Sequence, residues 1–337
     1  MPTNSASLAL ASSLKEAKWI YDPTLHTRRR RQHRLALLSL CPVPRRRQVL
    51  APCKAYSGLG RGNGFNVIWR PHNGAPGDHF LELNVTVETL EFDVIPGSIP
   101  NRGLLQGDLF MSGIRYLQQI SDVNVQVAGP SGSIPAGLHA EPGVWLNIPA
   151  TTDPLVPASV ARLASIPHGT TILAQGLASS VQGAPSIPAA SITPFQAGNP
   201  ASADPLPEQE LANDTPETRT QAPGINGVDQ AMLDNPNSVL NQALATETIA
   251  STIALNVSSD PTTPILGGGD ANTAFLQGGP DGPNAVAARI DATFWLMTRQ
   301  SQGEPDLLQY TQTVLLNFNG LSWPHVTVGN LTKLPAA

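Results

Sequence analysis

Few stretches of this sequence run long enough without proline to build a long helix. The 337 residues include 32 prolines and 29 glycines. Proline removes a backbone donor and clashes with the preceding turn, so an all-helical bundle is excluded. Charged residues make up 13% of the chain, about half the usual share and too few for a coiled coil. Glycine does not recur at every third position, which excludes collagen. No run of about 18 apolar residues occurs, so no transmembrane helix is expected.

What remains is strand. In "HFLELNVTVETLEFDVI" (His79–Ile95), Leu81, Leu83, Val85 and Val87 share one face, and Glu82, Asn84, Thr86 and Glu88 the other. That alternation marks a half-buried strand. After Thr89 the apolar residues change face, to Leu90, Phe92 and Val94, which predicts a bulge or bend of the kind barrels use. Leu109–Val127 reads as two strands. Further strands are expected in Glu141–Ala150, Ala158–Gly176, Ala285–Thr298, Tyr310–Phe318 and Trp323–Leu331. Gly, Pro, Asn and Asp clusters separate them, which points to a mainly β, antiparallel barrel or sandwich.

The stretch 183–284 differs. Its first part is crowded with Pro, Ala, Ser, Gly and Gln, and it carries one expected helix within about 231–255, with Asn237 or Ser238 as the cap. It reads as a long Pro/Gly-rich insertion whose short helix lids or plugs the barrel. "GLGRGNG" (Gly58–Gly64) and "LGGGD" (Leu266–Asp270) read as flexible linkers, because no strand–loop–helix order or GK[ST] surrounds them. The expected layout is a basic extension over 1–63, then a single barrel domain over 64–334 interrupted by 183–284.

Charge is unevenly divided. Residues 1–72 hold 13 Lys/Arg and 2 Asp/Glu, whereas 73–337 hold 7 and 23. The acidic body should repel nucleic acid. The basic part, with "RRRRQHR" (Arg28–Arg34) and "PRRRQ" (Pro44–Gln48), admits a nucleic-acid tail, a targeting segment or an unfolded extension without a packed core. The cytoplasm is the favoured compartment, with an organelle or secretion left open by that segment. Both cysteines, Cys41 and Cys53, precede residue 54, so the body has no thiolate for a metal, a disulfide or catalysis.

Candidate chemistry falls to histidine. His139 and Glu141 stand two apart in "GLHAEPGVWLN", which puts both on one face of an extended segment and makes them a candidate acid–base pair. His168 and His325 each follow a proline, in "SIPHGTT" and "SWPHVTV". Histidine ligates iron, moves protons or satisfies a core hydrogen bond.

The segments "HFLELNVTVETLEFDVIPGSIPNRG", "GLHAEPGVWLNIPATTDP", "VARLASIPHGTTILAQG" and "LQYTQTVLLNFNGLSWPHVTV" resemble, in this order, a family of bacterial and fungal haem-binding β-barrel proteins. The resemblance covers about residues 64–182 and 285–331. It implies a calycin-like barrel that holds haem b non-covalently, with peroxidase-like activity on a peroxide. The resemblance does not say which histidine is axial; by its setting at a strand edge beside glycine and β-branched residues, His168 is the first choice of iron ligand, then His325, then His139. Arg115 and Arg162, with Arg102 and Arg289, are the candidate partners for the propionates. The competing expectations are a lipocalin-like carrier of an apolar small molecule without metal, and a non-haem enzyme using His139 and Glu141.

Overall fold

The computed structural model describes residues 56–335 except 131, 167–168, 222–224, 262–264, 281 and 300–302. Ten antiparallel strands close into a barrel. They are β1 (Gly58–Pro71), β2 (His79–Val94), β3 (Leu109–Gly129), β4 (Gly132–Ile148), β5 (Ser159–Ile166) and β6 (Thr170–Gln182), followed by β7 (Ser251–Ser258), β8 (Val286–Thr298), β9 (Leu307–Phe318) and β10 (Leu321–Lys333). Each pairs with the next, and β10 returns to β1 through pairs such as Gly62 with Leu331 and Asn66 with Thr327. Closure leaves the barrel no long unpaired edge.

The segment "GLGRGNG", expected to be a linker, forms the first half of β1. Gly60, Gly62 and Gly64 occupy the inward positions opposite Leu90, Glu88 and Thr86. A Cβ on Gly62 would fall 1.9 Å from the Asn330 carbonyl oxygen, and one on Gly64 would fall 2.0 Å from that of Val328. Only glycine lets β10 approach this closely. The missing inward side chains also erase the alternation that marks a strand.

Leu109–Gly129 is one long strand instead of the expected two, with register shifts against β4 after Ile120 and after Asp122. The face switch in β2 has a different cause from the one expected. The β1–β2 ladder runs from Gly58 with Phe92 to Pro71 with His79 without a bulge. Leu81 and Leu83 point outward, yet both are fully buried. The segment after β6 covers them. The inward positions of the same stretch are Asn84, Thr86 and Glu88, all buried.

That covering segment, residues 183–250, leaves the barrel at the end of β6 and packs against its outer wall. Ile187, Ile192, Leu233, Leu240 and Leu244 lie on Phe65, Val67, Trp69, Leu81, Leu83, Trp323 and Val326. Among its described residues the segment holds two α-helices, α1 (Gln230–Asp234) and α2 (Ser238–Leu244). Asp229 caps α1 by accepting from the Met232 amide at 3.0 Å. The segment is thus a strap on the flank, and its helices neither lid nor plug the barrel. The expected helix also ends early. Ser251–Ser258 crosses back as β7, between β6 and β8, so part of the stretch read as an insertion is barrel wall.

Arg219 organises the strap. Its side chain is buried, and its guanidinium donates to the carbonyls of Glu208, Glu210, Leu211 and Asn213 at 2.6–3.2 Å. Arg219→Met should therefore lower stability by about 2 kcal/mol or more, since hydrogen bonds to charged groups are the strong ones. It should also speed proteolytic cleavage within residues 205–221. Unchanged urea unfolding and an unchanged cleavage pattern would show that the strap does not depend on it.

Candidate functional site

The barrel interior is divided along its axis. At the end where β2 finishes and β3 begins, it is filled by Leu90, Phe92, Ile114, Trp145, Leu255, Leu308 and Leu331, all buried. Aromatic side chains in and beside this plug meet edge-on or stacked, including Trp145 with Phe294 and Phe294 with Tyr310. At the opposite end polar residues mix with apolar ones and leave a cavity of about 250 Å³. Asn66, Ile68, Arg70, Glu82, Gln118, Ile120, Leu138, His139, Tyr310, Gln312, His325 and Thr327 line it.

Beneath this cavity lies a buried charged layer. Arg162, from β5, donates to Glu141 Oε1 at 2.5 Å, to the Tyr116 hydroxyl at 2.8 Å and to Gln312 Oε1 at 2.5 Å. Tyr116 in turn donates to Glu141 Oε1. His139 Nε2 stands 3.2 Å from Glu141 Oε2. Burial works against the charged form of Glu141, but the Arg162 guanidinium overrides it, with His139 and Tyr116, and holds the carboxyl at about 2. Gly143 makes room for the Tyr116 ring, because a Cβ there would come within 2.3 Å of it.

A second carboxylate has no cation bonded to it. Glu88, from β2, is buried, and it accepts from Gln118 Nε2 and from the Tyr310 hydroxyl, each at 2.7 Å. Burial pushes it up to about 7, although both hydrogen bonds favour its charged form. Burial likewise raises the Tyr116 and Tyr310 phenols, which stay protonated and serve as donors.

Nearer the mouth, His325 Nε2 donates to Asn66 Oδ1 at 2.7 Å, and Thr327 donates to the same oxygen at 2.8 Å. Asn66 passes the chain on to Asn84, and Asn84 to Asp122, each at 2.9 Å. Arg70 is tied to Glu82 at 2.7 Å.

Of the residues singled out in the sequence, His139, Glu141, Arg162 and His325 come together in this end of the barrel. Arg115 does not. Its side chain is exposed on the outer wall, paired with Asp93 at 3.0 Å, because its position in β3 has the opposite parity from Tyr116 and Gln118. His168 lies outside the described residues; the flanking Ile166 ends β5 and Thr170 begins β6 at the cavity end. Sequence reasoning missed Glu88, Gln118 and Gln312. Only Glu88 carried a signal, on the polar face of a strand whose other face is apolar; Gln118 and Gln312 share their parity with Ile114, Ile120, Leu308 and Val314.

Among the described residues, no group of three or more His, Cys, Asp or Glu side chains could hold a metal ion. No described helix is long and apolar enough to cross a membrane. No known protein-family model matches the chain, and a search of curated proteins finds no match either. The class that the structure defines is a closed ten-strand antiparallel β-barrel.

Proposed function

We propose that this barrel binds a small ligand in the cavity at its open end. The observation that carries the reading is the convergence of His139, His325, Gln118 and Gln312 on one enclosed space, while the opposite end is packed solid. Ligand sites favour the mouths of barrels, where a few fixed polar groups orient the guest.

Haem b is the second reading. The sequence resemblance supports it, and so do two imidazoles, His139 and His325, on one cavity, four strands apart around the wall. Imidazole suits iron. The space does not suit the macrocycle. About 250 Å³ falls below the roughly 300–1,000 Å³ typical of pockets for drug-sized ligands. Haem is a large, flat, mostly apolar guest, and this wall carries Asn66, Arg70, Glu82 and Gln118. Haem b therefore does not fit the cavity as it stands.

The acid–base reading has its own support. Glu141 touches His139, and the Arg162 and Tyr116 bonds hold that carboxylate in place, an arrangement that orients a general base. A peroxide or any other substrate would meet His139 at the cavity wall.

One set of titrations separates these readings. Small polar fragments and hemin are added in turn to the full chain, followed by the ring resonances of His139 and His325 and by absorbance. Saturable shifts from the fragments, weakened about tenfold in His139→Ala or His325→Ala, are the expected result. A saturable Soret change on adding hemin, lost in His168→Ala, His325→Ala or His139→Ala, would establish haem instead. If neither fragments nor hemin perturb the two rings, the cavity is not the binding site.

A further inference from the structure

Two amides on the cavity floor are held in one orientation by buried charge. Gln118 and Gln312 are both more than nine-tenths buried, and both line the cavity. Gln312 Oε1 is claimed by Arg162, a permanent donor, so its Nε2 must face elsewhere. Gln118 Nε2 is claimed by Glu88, so its Oε1 must face elsewhere. Among the described residues, neither remaining atom has a protein partner. Gln118 therefore offers an acceptor to the cavity and Gln312 offers a donor.

The charges themselves are spent. Arg162 is neutralised by Glu141, and Arg70 by Glu82. Glu88 sits behind Gln118 and Tyr310. Among the described residues lining the cavity, the charged Arg70 and Glu82 thus pair with each other. Tyr310, Ile68 and Ile120 line the same cavity. A ligand that satisfies this surface is neutral and compact, and it carries both a donor and an acceptor.

We infer that the cavity takes a cyclic amide or ureide, a small planar ring whose N–H bonds to Gln118 Oε1 and whose carbonyl accepts from Gln312 Nε2. The inference rests on the proposal that the cavity is the binding site, and it names the ligand class. A buried amide left without its partner is penalised, so a guest lacking either group should be rejected.

The test uses the full chain and five probes: uracil, 2-pyrrolidone, their N-methylated forms 1,3-dimethyluracil and N-methylpyrrolidone, and acetate. Binding is followed by calorimetry and by the His139 and His325 ring resonances. Uracil or 2-pyrrolidone should bind saturably, and N-methylation should weaken binding about tenfold or more. This comparison needs no variant and so cannot fail through misfolding. Gln312→Leu and Gln118→Leu should each lose a similar factor, provided their circular dichroism matches the wild type. If the N-methylated forms bind as well as their parents, or acetate binds more tightly, the ligand class is wrong while the cavity remains the site. If no probe perturbs His139 or His325, the inference and the proposal beneath it both fall.

Discussion

Arg162→Met is expected to destabilise the barrel by about 3–5 kcal/mol, because breaking a buried ion pair leaves the other charge uncompensated. Arg162 is 1% exposed, and its guanidinium is the hub of Glu141, Tyr116 and Gln312. It also lies over the Phe294 ring, 5.1 Å from the centroid. Methionine fills part of that volume but donates nothing. Glu141 would then be buried without its cation, and burial alone drives a carboxyl upward. The loss should shrink when the carboxyl is made neutral. Arg162→Met with Glu141→Gln should recover a substantial part, since replacing both partners of a buried pair by uncharged groups is often close to neutral. Urea unfolding at pH 7 of the two single variants and the double variant measures this. If the double variant is as unstable as the sum of the single ones, the two side chains are not coupled and the hub is misassigned.

The barrel was legible in the sequence where one face of a strand meets solvent and the other meets the core. In β8, Ile290, Ala292 and Phe294 are buried in the core, while Arg289, Asp291 and Thr293 on the other face are only partly buried, as that rule requires. It failed where the polar face turned inward. In β2, Glu82, Asn84, Thr86 and Glu88 look like a solvated edge, yet they face the cavity and the charged layer below it, and Leu81 and Leu83 are hidden by the strap. Periodicity reports that two faces differ, but it does not say which is inside. β7 was absorbed into the expected helix because "STIALN" is a short apolar run that helix and strand templates both accept. Of the site, the i, i+2 spacing of His139 and Glu141 could be read directly. Arg162 carried only its parity, and the two glutamines carried no signal, because their role depends on which buried charge each one meets.

Glu88→Gln should make the protein more stable above neutral pH and remove part of its pH dependence. Glu88 ionises at about 7 in the folded barrel, against an ordinary value of 4.5. Between those values the native state keeps a proton that the unfolded chain has released. Stability from this group is therefore full below about 4.5 and falls as pH rises to about 7, and it stays flat above that. At about 1.4 kcal/mol per unit, the loss across that window is about 3 kcal/mol. Glu141 has the opposite sign. Its carboxyl is held at about 2, so its contribution is present above the ordinary value and is lost as pH falls from about 4.5 to 2. The two limbs place the best stability from these groups near pH 4–5. Glutamine at position 88 still accepts from Gln118 through its oxygen, and its amide can donate to the Tyr310 hydroxyl. Nothing charged is then left to desolvate, so the decline between pH 5 and 8 should flatten while the acid limb set by Glu141 stays. Urea unfolding of wild type and Glu88→Gln at pH 5, 6, 7 and 8 checks this. Parallel curves across that range would show that Glu88 does not titrate there and that its carboxylate is charged throughout.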